Sequence, residues 1–115
     1  MRSRGVVLIV TLALVAGVVT AGCGELMLER SEGEKLWRKL CAECHGVDGA
    51  GKNPKYSRYA GNNLLDNHWV EGGEPWVIES VIREGIFPTM PAFDDLSDSE
   101  IEAIIEHIRE LRGGT

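Results

Sequence analysis

The tightest constraint on this chain is a run of five residues, Cys41-Ala42-Glu43-Cys44-His45. Two thiols three residues apart at a helix end can each add to one of two neighbouring vinyl groups of a haem. The imidazole that follows the second thiol then projects over the iron, where a ring nitrogen can ligate. Other readings of the same residues exist. A structural zinc site needs four ligands, and so short a stretch does not easily supply three of them. A thiol–disulfide exchange site normally opens a helix in a βαβ context, and no alternating strand pattern is evident. Chance occurrence is the remaining alternative. A disulfide between Cys41 and Cys44 would close too small a loop to hold a fold together, so a cofactor is the expected staple.

The chain has 115 residues and three cysteines, the third being Cys23. Arg2 and Arg4 precede an apolar run from Val6 to Val19, the pattern of a secretory signal. That run is short for a spanning helix, which needs about 18 or more apolar residues. It ends in Thr20-Ala21-Gly22-Cys23, similar to the lipobox of bacterial lipoproteins, although Thr20 stands where that motif usually has an aliphatic residue. The expected organisation is a signal over residues 1–22, removed before a lipidated Cys23, a tether over 23–30, and a folded domain over 31–115. An ordinary signal and a retained anchor are the alternatives. All three export the rest of the chain to the extracytoplasmic, periplasmic face of a bacterial membrane. Cleavage before Cys23 takes 22 residues from 115 and leaves 93, a length at which a small core often needs a staple.

The net charge is −6, and loss of Arg2 and Arg4 brings it to −8. An acidic balance argues against nucleic acid and for a protein partner with a basic docking surface.

Three helices are expected. Ser31-Glu32-Gly33-Glu34 has the form of a capping box, opening a helix from Glu32 to about Cys41 with Leu36, Trp37 and Leu40 on one face. Gly46 to Leu64 reads as loop. Pro75 suits a first helical position, Val77, Ile78, Val81 and Ile82 give that helix its buried face, and Gly85 ends it. Ile86 to Asp95 is loop. Ser97-Asp98-Ser99-Glu100 is a second capping box, before an apolar stripe of Ile101, Ile104, Ile105, Ile108 and Leu111. Glu102, Glu106 and Glu110 read as a solvated face. Loops this long in so small a domain need something to fill the space between them.

The chain resembles a class I cytochrome c, the all-α monohaem family, over nearly all of Ser31 to Leu111. The likeness rests on Cys41–His45 with Gly46, on the Met90-Pro91 loop, and on the helix opened by Leu96-Ser97-Asp98-Ser99-Glu100. Asn67-His68-Trp69 with Gly72-Gly73 is similar to the haem-c domains of high-affinity haem–copper oxidases. The resemblance implies three main helices and long loops around one covalent haem c. It implies a first helix crossing the last, with Gly33 and Trp37 against Ile104 and Ile108, and a proline carbonyl as acceptor for the second ring N–H of His45. Pro54 is the one proline between His45 and Pro75, while Ala60-Gly61-Asn62-Asn63-Leu64 looks like the family's Pro-containing segment without the Pro.

The candidates for a second iron ligand are Met27, Met90, His68 and His107. Met27 lies in the tether and His107 within the last helix. His68 is the rival in a loop, but its segment matches one that does not ligate in the family. Met90 precedes Pro91, which biases it toward an extended backbone, and its place between the last two helices is where the family keeps its ligand. Trp69 and Trp76 read as packing around the haem, Trp69 with an N–H able to reach a propionate. Arg83 reads as a surface partner of Glu79. Tyr56, Arg58 and Tyr59 read as loop surface over the haem edge.

An iron with both axial positions filled by protein leaves no site for a small-molecule substrate, so the expected role is electron transfer and not enzymatic catalysis. The leading expectation is a membrane-tethered carrier between respiratory or photosynthetic partners. The alternative is a haem c subunit of a larger oxidase or dehydrogenase. A gas-binding or peroxidatic protein is the third class.

Overall fold

The computed structural model describes residues 29–69 and 71–114. The expected signal, the tether up to residue 28, Cys23 and Met27 lie outside the described residues. Four helices are present among the described residues, and no strand: α1 (Glu32–Leu40), α2 (Ala42–His45), α3 (Pro75–Glu84) and α4 (Asp98–Leu111). None is long and apolar enough to cross a membrane.

The first helix opens where its cap predicts, but only half of the box forms. The Ser31 hydroxyl accepts from the Glu34 N–H at 3.2 Å. The Glu34 carboxylate does not return to Ser31; Arg30 and Arg38, one turn to either side, take it at 3.1 and 2.8 Å. Two cations at i−4 and i+4 outbid one backbone N–H for the same carboxylate. At α4 no such cation intervenes, and both halves of the Ser97–Glu100 box are made.

The helix expected from Glu32 to about Cys41 is α1, and the motif itself adds a second, one-turn helix that the sequence pattern did not indicate. α1 ends at Leu40, Cys41 bends the chain, and α2 adds one further turn that Gly46 closes at φ 82°. α3 starts at Pro75 and stops at Gly85, whose φ of 69° only glycine adopts without strain.

α1 crosses α4 at Gly33. A Cβ there would sit 2.1 Å from the Ala103 carbonyl oxygen and 3.1 Å from the His107 Cβ, so glycine is what allows the two backbones to meet. The buried core is Trp37, Ile78, Ile82, Ile101, Ile104, Ile105 and Ile108. Trp37 thus packs with Ile104 and Ile108, as the resemblance implies, while Gly33 itself meets Ala103 and His107.

The expectation that Trp76 packs in the core is wrong: it is 72% exposed. Residues i and i+2 point to nearly opposite sides of a helix, and α3 commits the Ile78 and Ile82 side to the core. Arg83 does take its surface role. It bonds Glu79 at 3.0 Å, the Leu96 carbonyl at 3.0 Å and the Asp98 carboxylate, tying the end of α3 to the start of α4.

Candidate cofactor site

The single turn of α2 presents the motif. The N–H groups of Cys44 and His45 both bond the Cys41 carbonyl, at 3.2 and 3.0 Å, and Gly46 N–H bonds the Ala42 carbonyl at 2.9 Å. Trp37 fixes this turn from the core side by donating its indole N–H to the Gly46 carbonyl at 3.0 Å.

The second anchor of His45 is the backbone carbonyl of Asn62, 2.8 Å from Nδ1. A carbonyl can only accept, so Nδ1 carries the proton and Nε2 keeps its lone pair for a metal. Pro54 is not that acceptor. The Ala60–Leu64 segment supplies it, with asparagine where proline was expected. Asn62 is buried, and its side-chain amide donates to the Gly51 carbonyl at 3.1 Å. Gly51 N–H in turn bonds the His45 carbonyl at 2.7 Å. His45, Gly51 and Asn62 therefore lock one another.

Met90 is fixed independently. Its N–H and C=O pair with Ile86 at 2.8 and 2.9 Å, and Phe93 N–H reaches the Ile82 carbonyl at 2.9 Å. The loop between α3 and α4 is thus pinned on both sides of Met90.

These two distant stretches meet at one cavity of about 400 Å³, within the range of cofactor sites. Cys41, Cys44, His45 and Met90 all line it. The remaining wall is largely apolar: Leu64 and Trp69, Ile78 and Ile82 of α3, Ile86 and Phe93, and Ile104 and Ile108 of α4. Tyr56 and Tyr59 line it from the long loop.

Of the rival ligands, His68 is exposed and does not line the cavity. His107 is buried in the α1–α4 contact, its ring 5.8 Å from that of Trp37 and its Nδ1 3.3 Å from Glu110, and it too is absent from the cavity wall. Trp69 lines the wall, but its indole N–H is given to the Asp66 carbonyl at 3.2 Å, so a propionate is not its partner in this geometry. Arg112 holds the same loop. Its guanidinium lies 5.0 Å over the Trp69 ring and bonds the carbonyls of Leu64 and Asp66.

The electrostatics separate the remaining readings. Burial pushes the Cys41 thiol up to about 12, with Cys44 adding to the shift. Burial and the Glu43 charge raise Cys44 as well, against a smaller opposing pull from Lys55. Exchange chemistry needs a depressed thiol, so the pair is unsuited to it. Burial lowers His45, opposed by its bond to Asn62, which favours the neutral ring a metal requires. Among the described residues no three His, Cys, Asp or Glu side chains gather as an ion site.

The residues fit a haem. The donor set is one imidazole with a fixed tautomer and one thioether, the wall is apolar, and two thiols stand beside the imidazole. Sequence reasoning did not single out Ile86 or Phe93, which lie in irregular loop with no periodicity, nor Asn62 as acceptor.

The family described as Cytochrome C oxidase, cbb3-type, subunit III matches residues 29–108. The chain is similar to the cbb3-type cytochrome c oxidase subunit FixP of Azorhizobium caulinodans, 33% identical over 84 residues that make up 72% of this chain and 27% of that protein. It is similar to subunit FixP of Bradyrhizobium diazoefficiens, 30% identical over 87 residues, 75% of this chain and 29% of that protein. It is also similar to subunit CcoP of Rhodobacter capsulatus, 27% identical over 95 residues, 76% of this chain and 31% of that protein. The chain therefore spans under a third of the length of these relatives. No solved structure matches.

Proposed function

This chain belongs to the cbb3-type cytochrome c oxidase subunit III family, and from that premise we propose that residues 31–115 form a class I-type domain holding one covalent haem c that passes single electrons toward an oxidase. The observation that carries the proposal is the convergence of Cys41, Cys44 and His45 with Met90, 45 residues on from His45 in sequence, on the wall of one apolar cavity.

In this reading Cys41 and Cys44 would hold the haem covalently, and His45 and Met90 would ligate its iron. The haem, when bound, supplies an iron that cycles between ferrous and ferric states. The protein does the rest. The Asn62 carbonyl fixes the His45 tautomer and raises its basicity. The thioether of Met90 favours reduced iron, which sets a higher potential than a second imidazole would. Trp37, Ile104 and Ile108 keep water from the side facing the core. With His45 and Met90 both ligating the iron, no site would remain for a small-molecule substrate and the domain would exchange electrons only.

Service to an oxidase is favoured over a free carrier because the relatives are named as oxidase subunits. The free, membrane-tethered carrier is the second reading, favoured by the lipobox-like stretch that ends in Cys23. In both, the signal over residues 1–22 exports the chain, Cys23 bears the lipid, and the link from Gly24 to Arg30 spans at most about 25 Å, keeping the domain at the periplasmic membrane surface. The acidic balance draws basic surfaces at long range. Denaturation of the exported protein in acid, followed by organic extraction and intact-mass measurement, tests the haem reading. One haem should stay with each chain, and extraction of the haem refutes it. Copurification with a catalytic oxidase subunit in mild detergent separates the two readings of its role.

A further inference from the structure

The segment Gly51–Ala60 departs in sign from the rest of the chain. It carries Lys52, Lys55 and Arg58 and no acid, in a protein of net charge −6. Elsewhere cations are mostly matched: Arg30, Lys35, Arg38, Arg83 and Arg109 each sit against a carboxylate. Among the described residues, neither Lys52 nor Arg58 has an ion-pair partner, and both are exposed. Lys55 meets Glu43 at 3.8 Å, and the Tyr56 hydroxyl bonds the same carboxylate at 2.8 Å, which mutes the acid beside Cys44.

This segment is built against the cofactor cavity. Tyr56 and Tyr59 line it. The Asn53 amide donates to the Glu43 carbonyl at 2.8 Å, fastening the segment to the motif turn, and the Asn53 carbonyl takes the N–H groups of Tyr56 and Ser57 at 3.0 and 2.8 Å. Lys55 lies 4.6 Å over the Tyr56 ring and the Arg58 guanidinium 5.1 Å over that of Tyr59. The lining residues that also face solvent are Glu43, Ala60, Glu71, Thr89 and Pro91, which mark the mouth. Glu71 is thus the one acid of that rim without a partner among the described residues. Beyond Thr89 stands Phe87, 97% exposed.

We propose that the Lys52–Tyr59 segment is a preorganised docking face at the cavity mouth for an acidic surface of a redox protein, a proposal that rests on the haem reading above. The loop is fastened, and its Tyr56, Arg58 and Tyr59 are residue types enriched in contact patches, with Lys52 and Lys55 adding positive charge. The sign of this segment beside the mouth is opposite to that of the whole chain, although the rim itself carries Glu43 and Glu71, so net charge alone does not describe the surface around the cavity. A partner that reaches the mouth is selected by these residues.

The experiment mixes the reduced full-length holoprotein with two one-electron oxidants in a stopped-flow instrument. Hexacyanoferrate(III) is the anionic probe and tris(phenanthroline)cobalt(III) the cationic one; each takes one electron from the protein and is reduced to its divalent-metal form. If the mouth is basic, the rate with hexacyanoferrate falls as ionic strength rises, although the chain is negative. Lys52→Gln with Arg58→Gln then lowers the low-salt rate about threefold or more, a modest steering effect, without slowing the cobalt reagent. A polyglutamate peptide should compete with hexacyanoferrate on wild type and not on the double variant. A hexacyanoferrate rate that rises with salt, or that the double variant leaves unchanged, overturns the docking face while a covalent haem spectrum leaves the haem reading standing. A chain without covalent haem fails the earlier reading instead.

Discussion

Replacing Gly51 by alanine tests whether the His45–Gly51–Asn62 lock sets the iron ligand. Gly51 sits at φ 62°, and a Cβ there would lie 2.6 Å from the Asn62 carbonyl oxygen, the atom that accepts the His45 Nδ1 proton. Two costs follow. A left-handed conformation costs an alanine about 1–2 kcal/mol. Displacing a fixed backbone carbonyl adds about 1–3 kcal/mol of overpacking. The expected loss is thus about 2–5 kcal/mol, against a usual domain stability of about 5–15 kcal/mol, so the variant should still fold. Gly49 is the control. It has φ 75°, but its nearest contact for an added Cβ is the end of the flexible Leu111 side chain at 3.3 Å. Gly49→Ala should lose only the conformational cost, about 1–2 kcal/mol. The second readout is the midpoint potential. Pushing the Asn62 carbonyl away weakens the bond that makes His45 a stronger donor, so ferric iron is less stabilised and the potential rises in Gly51→Ala but not in Gly49→Ala. Denaturant unfolding followed by tryptophan fluorescence gives the first quantity, and a reductive titration the second. Equal stability losses in the two variants with an unchanged potential in both would show that the lock does not govern the ligand.

Gly33→Ala should destabilise the fold by about 1–3 kcal/mol through the collision with the Ala103 carbonyl, despite alanine's helix preference of about 1 kcal/mol over glycine; a more stable variant in denaturant melts refutes the close helix crossing. Met90→Ala should lower the midpoint potential, remove the sulfur-to-iron charge-transfer absorption of the oxidised protein and admit carbon monoxide, whereas His68→Ala should change none of these; survival of that absorption in Met90→Ala rules Met90 out. Cys23→Ser should abolish lipidation by mass spectrometry, and a wild-type chain that is unlipidated and starts elsewhere ends the lipoprotein reading.

What was legible in the sequence was mostly what is local. The helix starts at Ser31 and Ser97 are set by side chains that cap backbone within one turn, and the start at Pro75 by a ring that has no N–H to satisfy, so pattern alone locates them. The cysteine–histidine spacing is legible for the same reason. Placing Met90 on the cavity wall took an argument from order along the chain, and the structure does bring it to the wall that carries His45. The failures are contests the sequence does not display. Glu34 had two possible partners besides the Ser31 N–H, and the nearby arginines took it. Trp76 has the bulk of a core residue, but the phase of α3 is set by Ile78 and Ile82. The acceptor for His45 is a main-chain carbonyl, which any residue type can offer, so proline was never required and no side chain announces the site.

The same geometry explains how so short a chain carries such long loops. Of the seven hydrophobic residues buried among the described ones, Trp37, Ile78, Ile82, Ile104 and Ile108 also line the cavity, and Ile101 and Ile105 belong to the core alone. Core and cofactor site are therefore nearly one set of side chains. A loop such as Gly46–Leu64 does not need a hydrophobic face of its own when inward residues such as Tyr56, Tyr59 and Leu64 close on the same centre as His45, which precedes it. In the haem reading, covalent attachment at Cys41 and Cys44 makes that centre permanent. The entropy of ordering the loops is then opposed by contacts to a fixed body, which the seven buried hydrophobic residues among the described ones would not supply alone. Fold stability and redox tuning consequently share their residues, and a change in the wall acts on both.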